Sequence, residues 1–281
     1  MNLTLFWGLG AAVAWGTADF CAKKAATAYG FWPTVWGMNA IGALALAGVW
    51  VAGAVPLAVG QILPLAGLAL GNALGGLCFY YALEYGPLVL VSPICAAYPV
   101  VSAVLAYALT GERLAAGVTL AVGVVIGGTL LATLGARAPG PGHPRRGTAL
   151  LAAVASAGIF GAVFYAVAAG AAATAGTATV LVFRVVGAAV LALPLLWGRR
   201  LPAGLFRSGW LWATGLLDSF AYWLYAEGAH HLPVSVVSAL SGLFSVWTLV
   251  LAVVFLRERL ARWQWVGVAA LLGAIAWLGL K

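Results

Sequence analysis

Long apolar runs separated by brief polar gaps organise this chain. The runs fall at roughly 3–24, 33–53, 61–83, 88–110 and 115–134, then 147–170, 177–197, 208–228, 233–256 and 262–280. Each is about 20 residues, which at about 1.5 Å per helical residue crosses a hydrocarbon layer about 30 Å thick. The gaps carry turn chemistry: "AYGFWP", "AVPLAVGQ", "EYGP", "TGERLA", "WGRRLP" and "HHLP". The pattern predicts an all-α integral membrane protein with ten transmembrane helices. One gap differs from the rest. "GARAPGPGHPRRG" is polar and rich in Pro and Gly, and it lies at the midpoint. It divides the chain into a first unit, 1–134, a linker, 135–146, and a second unit, 147–281.

The two units share a text. Glu112-Arg113-Leu114 returns 146 residues later as Glu258-Arg259-Leu260. The same shift carries Pro87 onto Pro233, Ser92 onto Ser238, Gly127 onto Gly273 and Asn72 onto Asp218. Nearer the N-terminus the shift is 145: Trp15-Gly16 meets Phe160-Gly161, and Gly42-Ala43 meets Gly187-Ala188. Ordered matches through several spans indicate duplication of a five-helix unit. Five is odd, so the second unit enters the membrane from the opposite face. That makes an inverted repeat, a common build of secondary transporters. The repeated Glu-Arg word itself reads as an interfacial anchor.

Composition agrees with a lipid solvent. Hydrophobic residues make up 64% of the 281 and charged residues 7%, against about 25% charged in soluble domains. The net charge of +8 sits mostly in the gaps, so it anchors loops and does not point to nucleic acid. Cys21, Cys78 and Cys95 lie inside apolar runs without ligand spacing and read as small core residues. The opening "MNLTLFWGLG" has no basic n-region and reads as the start of a retained helix. No Ser-His-Asp set, metal-spaced His/Cys cluster or Gly-rich phosphate loop supports an enzyme, and no cofactor is expected.

Several of these words together resemble the drug/metabolite transporter superfamily, in its EamA-type ten-helix branch. They are "AWGTADF" in the first span, Arg184 within "VFRVVGAAVLAL" of the seventh, the short "EYGP" turn, and "GERL" with "RERL". The resemblance implies a monomeric, multi-pass carrier of the cell membrane, the inner membrane in a cell that has two. It would move a small-molecule substrate by alternating access. Its cavity would be lined by spans 1, 3, 4, 6, 8 and 9, with spans 5 and 10 peripheral. The first unit departs from the pattern, with Asn39 where the seventh span has Arg184. Orientation is open at this point. The family arrangement puts both termini in the cytoplasm. Yet the termini's side carries Arg113 and Lys281, while the opposite side carries eleven basic residues from Lys23 to Arg262. The positive-inside rule then places the termini outside.

Polar residues at membrane depth are functional candidates, because a buried charge there is costly unless paired, protonated or wet. Asp218 lies near the centre of the eighth span, with Tyr222 and Tyr225 on the same helical face. Carboxylate beside aromatic rings suits a cation or a proton. A structural pair with Arg184 is the competing reading. Asp19 is a second titratable acid, facing either the cavity or Lys23. Glu84 and Glu227 stand at span ends and read as wet boundary residues, and His230-His231 as a solvated loop pair. Pro93 and Pro99 should break the fourth span and leave Tyr98 beside a kink at cavity depth. Ser238, Ser241, Gly242 and Ser245 form a small polar stripe on the ninth span, read for Gly242 as helix packing. Trp15, Tyr80, Tyr81, Tyr98, Tyr222 and Trp247 are the deep aromatics. The expected substrate-binding set is Trp15, Tyr80, Tyr98, Asp218, Tyr222, Trp247, Ser238 and Ser241, with Asp218 or Asp19 coupling protons. The expected cargo is an amine-bearing solute such as an amino acid or quaternary amine. Efflux of amphipathic cationic drugs is the alternative, and a membrane-embedded enzyme or scaffold the rival class.

Overall fold

A computed structural model describes residues 3–51, 59–86, 88–113, 116–133, 145–170 and 175–256, with residues 266 and 270. Among these the chain is helical, with no strand. The first unit holds α1 (Leu3–Tyr29), α2 (Phe31–Val51), α3 (Val59–Tyr85), α4 (Leu88–Cys95), α5 (Tyr98–Leu105) and α6 (Ala116–Thr133). The second holds α7 (Arg146–Ala169), α8 (Gly176–Leu191), the short α9 (Leu193–Leu196), α10 (Gly209–Gly228), α11 (Val234–Ser241) and α12 (Phe244–Leu256). Five described stretches are long and apolar enough to cross a membrane: Leu5–Tyr29, Gly60–Tyr85, Gly147–Ala169, Gly176–Leu196 and Val234–Phe255. Most of the linker and of the tenth span, with Glu258, lies outside the described residues.

Local chemistry explains the joints. Gly30 alone separates α1 from α2, and its φ of 90° is one that side-chain-bearing residues rarely adopt. The fourth span breaks at Ala96-Ala97, and Pro99 follows in the first turn of α5, where a missing N–H costs least. Pro93 lies earlier, within α4. The ninth span breaks at Gly242-Leu243, 146 residues on, although it holds no proline there. Packing supplies the reason: a Cβ on Gly242 would lie 2.7 Å from Pro99 Cγ. The two broken spans lean on each other at their breaks.

The broadest helix contacts run between the units: α1 with α10, α3 with α7, and α2 with α8. The first two are images of one another under the repeat, and the third pairs a helix with its own image. The protein is therefore two inverted five-helix repeats wrapped around one pseudo-twofold axis. Three carboxylates fasten helix starts. Glu84 accepts from Phe31 N at 2.5 Å, and Glu227 accepts from Gly176 N at 3.1 Å. Glu112 accepts from Val234 N and Ser235 N at 3.1 and 3.2 Å. A carboxylate at a helix N-terminus satisfies free N–H groups and opposes the positive end of the dipole. Glu84 and Glu227, expected as wet boundary residues, are thus interhelical caps.

Candidate functional site

A closed cavity of about 60 Å³ lies on the pseudo-twofold axis. Its wall is made largely of repeat-related pairs. Trp15 faces Phe160, Asp19 has Phe164, Asn39 has Arg184, Asn72 has Asp218, Gly76 has Tyr222 and Tyr98 has Phe244. Small-molecule pockets are usually about 300–1,000 Å³, so this volume holds only a few waters. The described conformation is shut around its own centre.

The second helices of the two units set the floor. Arg184 is almost fully buried, 1% exposed, and forms an ion pair with Asp218. Its Nη1 lies 3.1 Å from Met38 Sδ, and its guanidinium sits 5.8 Å from the Tyr222 ring centre. A Cβ on Gly42 would meet Ser219 Oγ and, at 2.8 Å, Arg184 Cδ. Across the axis a Cβ on Gly187 would meet Asn39 Oδ1 at 2.5 Å. So Arg184 lies over Gly42 and Asn39 over Gly187, in mirrored seats. Asn39 also donates to Val35 O at 2.8 Å. Lys23 turns its amine to Leu83 O and Gly86 O at 2.5 and 3.1 Å, while Asp19 faces the cavity.

Aromatic rings shut the side toward the Glu112 caps. Trp15, Phe164 and Tyr222 pack within 5.2–5.8 Å of one another, and Tyr98 stacks on its repeat partner Phe244 at 6.3 Å and 15°. Ser241 Oγ donates to Val237 O at 2.7 Å, which leaves the Tyr98 hydroxyl to donate to Ser241 Oγ at 2.6 Å. Tyr225 donates to Phe164 O at 3.1 Å and so accepts from Ser238 Oγ at 2.9 Å.

Of the residues expected at the site, Trp15, Asp19, Tyr80, Tyr98, Asp218 and Tyr222 line the cavity, together with Arg184. Three others lie elsewhere. Ser238 and Ser241 are buried, but their hydroxyls are spent on the tyrosine seal behind the wall. Trp247 is 36% exposed and donates to Thr17 Oγ1 at 2.9 Å, because Gly16 lets the indole rest on the outer side of α1. Tyr81 reaches Thr148 Oγ1 at 3.2 Å near the start of α7 instead of the cavity. Sequence reasoning missed Phe160, Phe164 and Phe244. Sliding Trp15, Asp19 and Tyr98 by the repeat shift finds all three.

The comparisons accord with this architecture. No curated protein matches the sequence. A protein of known crystal structure superposes with a TM-score of 0.76 at 21% identity, covering 99% of this chain and 96% of its own, which establishes a shared fold. The EamA-like transporter family matches residues 2–134 and again residues 147–280, one match for each repeat. The chain is therefore a member of the EamA-like transporter family, a multi-pass membrane transporter of small molecules.

Proposed function

We propose that this transporter is a secondary carrier of the cell membrane, moving a small solute that bears both an ammonium and an acceptor group, such as an amino acid, by alternating access. One observation supports the reading above others. Four buried polar atoms without a hydrogen-bond partner all belong to the cavity wall: Asp19 Oδ2, Asn39 Oδ1, Arg184 Nε and Tyr222 Oη. An unserved buried polar atom costs about 1–3 kcal/mol, so such a group calls for a partner. An ammonium answers the two oxygens of Asp19 and Asn39. A carboxylate answers the N–H of Arg184 and the hydroxyl of Tyr222. The ring faces around them take the apolar body and attract the cationic end. A cationic drug without an acceptor would leave Arg184 Nε unserved, which favours the amino-acid class.

In this reading Asp218 acts by holding Arg184, and Asp19 is the acid that exchanges. A proton on Asp19 neutralises it between cargoes, and the arriving ammonium displaces that proton. Counterflow of labelled amino acids in proteoliposomes tests the assignment. Asp19→Asn should lower counterflow by at least about tenfold, since one charged contact of about 1.5–3 kcal/mol is removed. Its thermal stability in detergent should stay near the parent's, because Asn keeps the size and the polar head. Wild-type counterflow by this variant across pH would overturn the role given to Asp19.

A further inference from the structure

We propose that a groove on the face opposite the termini, between the start of α2, the end of α3 and the loop after α9, holds the phosphate headgroup of an anionic phospholipid. The groove has a volume of about 270 Å³, and Trp32, Glu84, Tyr85, Arg199 and Arg200 are on its wall. Its single acid is already engaged, since Glu84 accepts from Phe31 N. Its two arginines are exposed, and among the described residues neither guanidinium meets a carboxylate. Arg199 lies 5.9 Å from the Trp32 ring centre, and on the far rim Arg145 lies 4.8 Å from the Tyr85 ring centre. A guanidinium resting on a ring keeps its N–H edge free while losing little freedom on binding.

The floor is fixed. Trp32 is 7% exposed and its indole N–H donates to Leu191 O at 2.9 Å, tying α2 to α8. The rim shows where the groove opens. Leu196 and Trp197, directly before the arginines, are 79% and 78% exposed, as side chains at the hydrocarbon edge would be. A ligand here therefore has its charged head against Arg199 and Arg200 and its tails beside Leu196. Planar forks of this kind pair with phosphate oxygens two at a time. The eleven basic residues counted on this side draw anionic lipid toward the same face. A free phosphate shares the head chemistry but makes no use of the apolar rim. The proposal is independent of the cargo.

Native mass spectrometry of the purified protein in mixed micelles provides the test, with phosphatidylglycerol, phosphatidylcholine or inorganic phosphate as the added ligand. The intact protein should retain phosphatidylglycerol over phosphatidylcholine. Arg199→Gln/Arg200→Gln should bind phosphatidylglycerol at least about tenfold more weakly, each basic residue near an anionic surface contributing several-fold. Arg207→Gln removes a neighbouring exposed charge outside the groove and should stay within about twofold of the parent. Equal retention of the two lipids, or equal binding by the double variant and the parent, would overturn the site. Displacement of the lipid by inorganic phosphate at equal concentration would overturn the lipid assignment in favour of a soluble anion.

Discussion

Asn39 and Arg184 occupy the same seat in opposite halves, yet one is neutral and the other carries an ion pair. The glycines beneath them, Gly187 and Gly42, are unchanged between the halves. Other wall pairs divide the same way: Asn72 against Asp218, Phe164 against Asp19, Gly76 against Tyr222. Where backbones approach closely there is no room for variation, so both copies keep the small residue. Where side chains end in the cavity there is room, and the copies diverge. The frame is symmetric and the charge is not.

The largest test of that contrast is Asp218→Asn. It strands Arg184, which is 1% exposed, and should cost about 3–5 kcal/mol, read as a fall in the detergent melting temperature. Adding Arg184→Met to that variant removes the stranded charge and should recover much of the loss. A double variant no more stable than Asp218→Asn would show that the ion pair is not what the single change broke. Next comes the shared frame. Gly42→Ala and Gly187→Ala should each cost about 1–3 kcal/mol through overpacking. Gly42→Ala should cost more, because it presses on the stem of an ion-paired arginine, whereas the Asn39 amide has the cavity to turn into. The reverse order in thermal melts would contradict the seating described. The smallest effect is expected at the mirrored caps. Glu84→Ala and Glu227→Ala should each cost about 1 kcal/mol, and the double variant should show their sum. A clear inequality would mean that one cap carries a load the other does not.

Much of this was legible in the sequence, for definite physical reasons. Apolar length determines how many residues a span needs, so the spans and the midpoint linker stand out. Duplication leaves ordered matches, so the inverted build follows from Pro87 with Pro233 and Asn72 with Asp218. Depth is legible too, and it placed Asp218, Tyr98 and Trp15 at cavity level. Azimuth is not. Helices that are apolar all round lack the polar face by which a soluble helix reveals its orientation. Trp247 was therefore assigned the correct depth and the wrong side, and Ser238 and Ser241 were taken for wall when they stand behind it. The caps were hidden by distance, since Glu84 meets Phe31 53 residues away and Glu227 meets Gly176 51 away. The break at Gly242 carries no proline and becomes intelligible only with Pro99 against it.

The breadth of the contacts between α1 and α10, α3 and α7, and α2 and α8 bears on how the protein is made. Ribosomes deliver the first five helices before the second five exist. During that interval α1 and α3 are threaded through the bilayer without the neighbours that later cover them, and Asp19 and Asn39 face lipid or borrow a temporary partner. The first half is therefore a waiting intermediate, vulnerable to quality-control proteases until translation supplies α7, α8 and α10. Severing the chain within the 135–146 linker and expressing the two pieces together should yield assembled protein, whereas the first piece expressed alone should be degraded. Biogenesis, on this view, is limited by the docking of two pre-inserted halves and not by the insertion of any single helix.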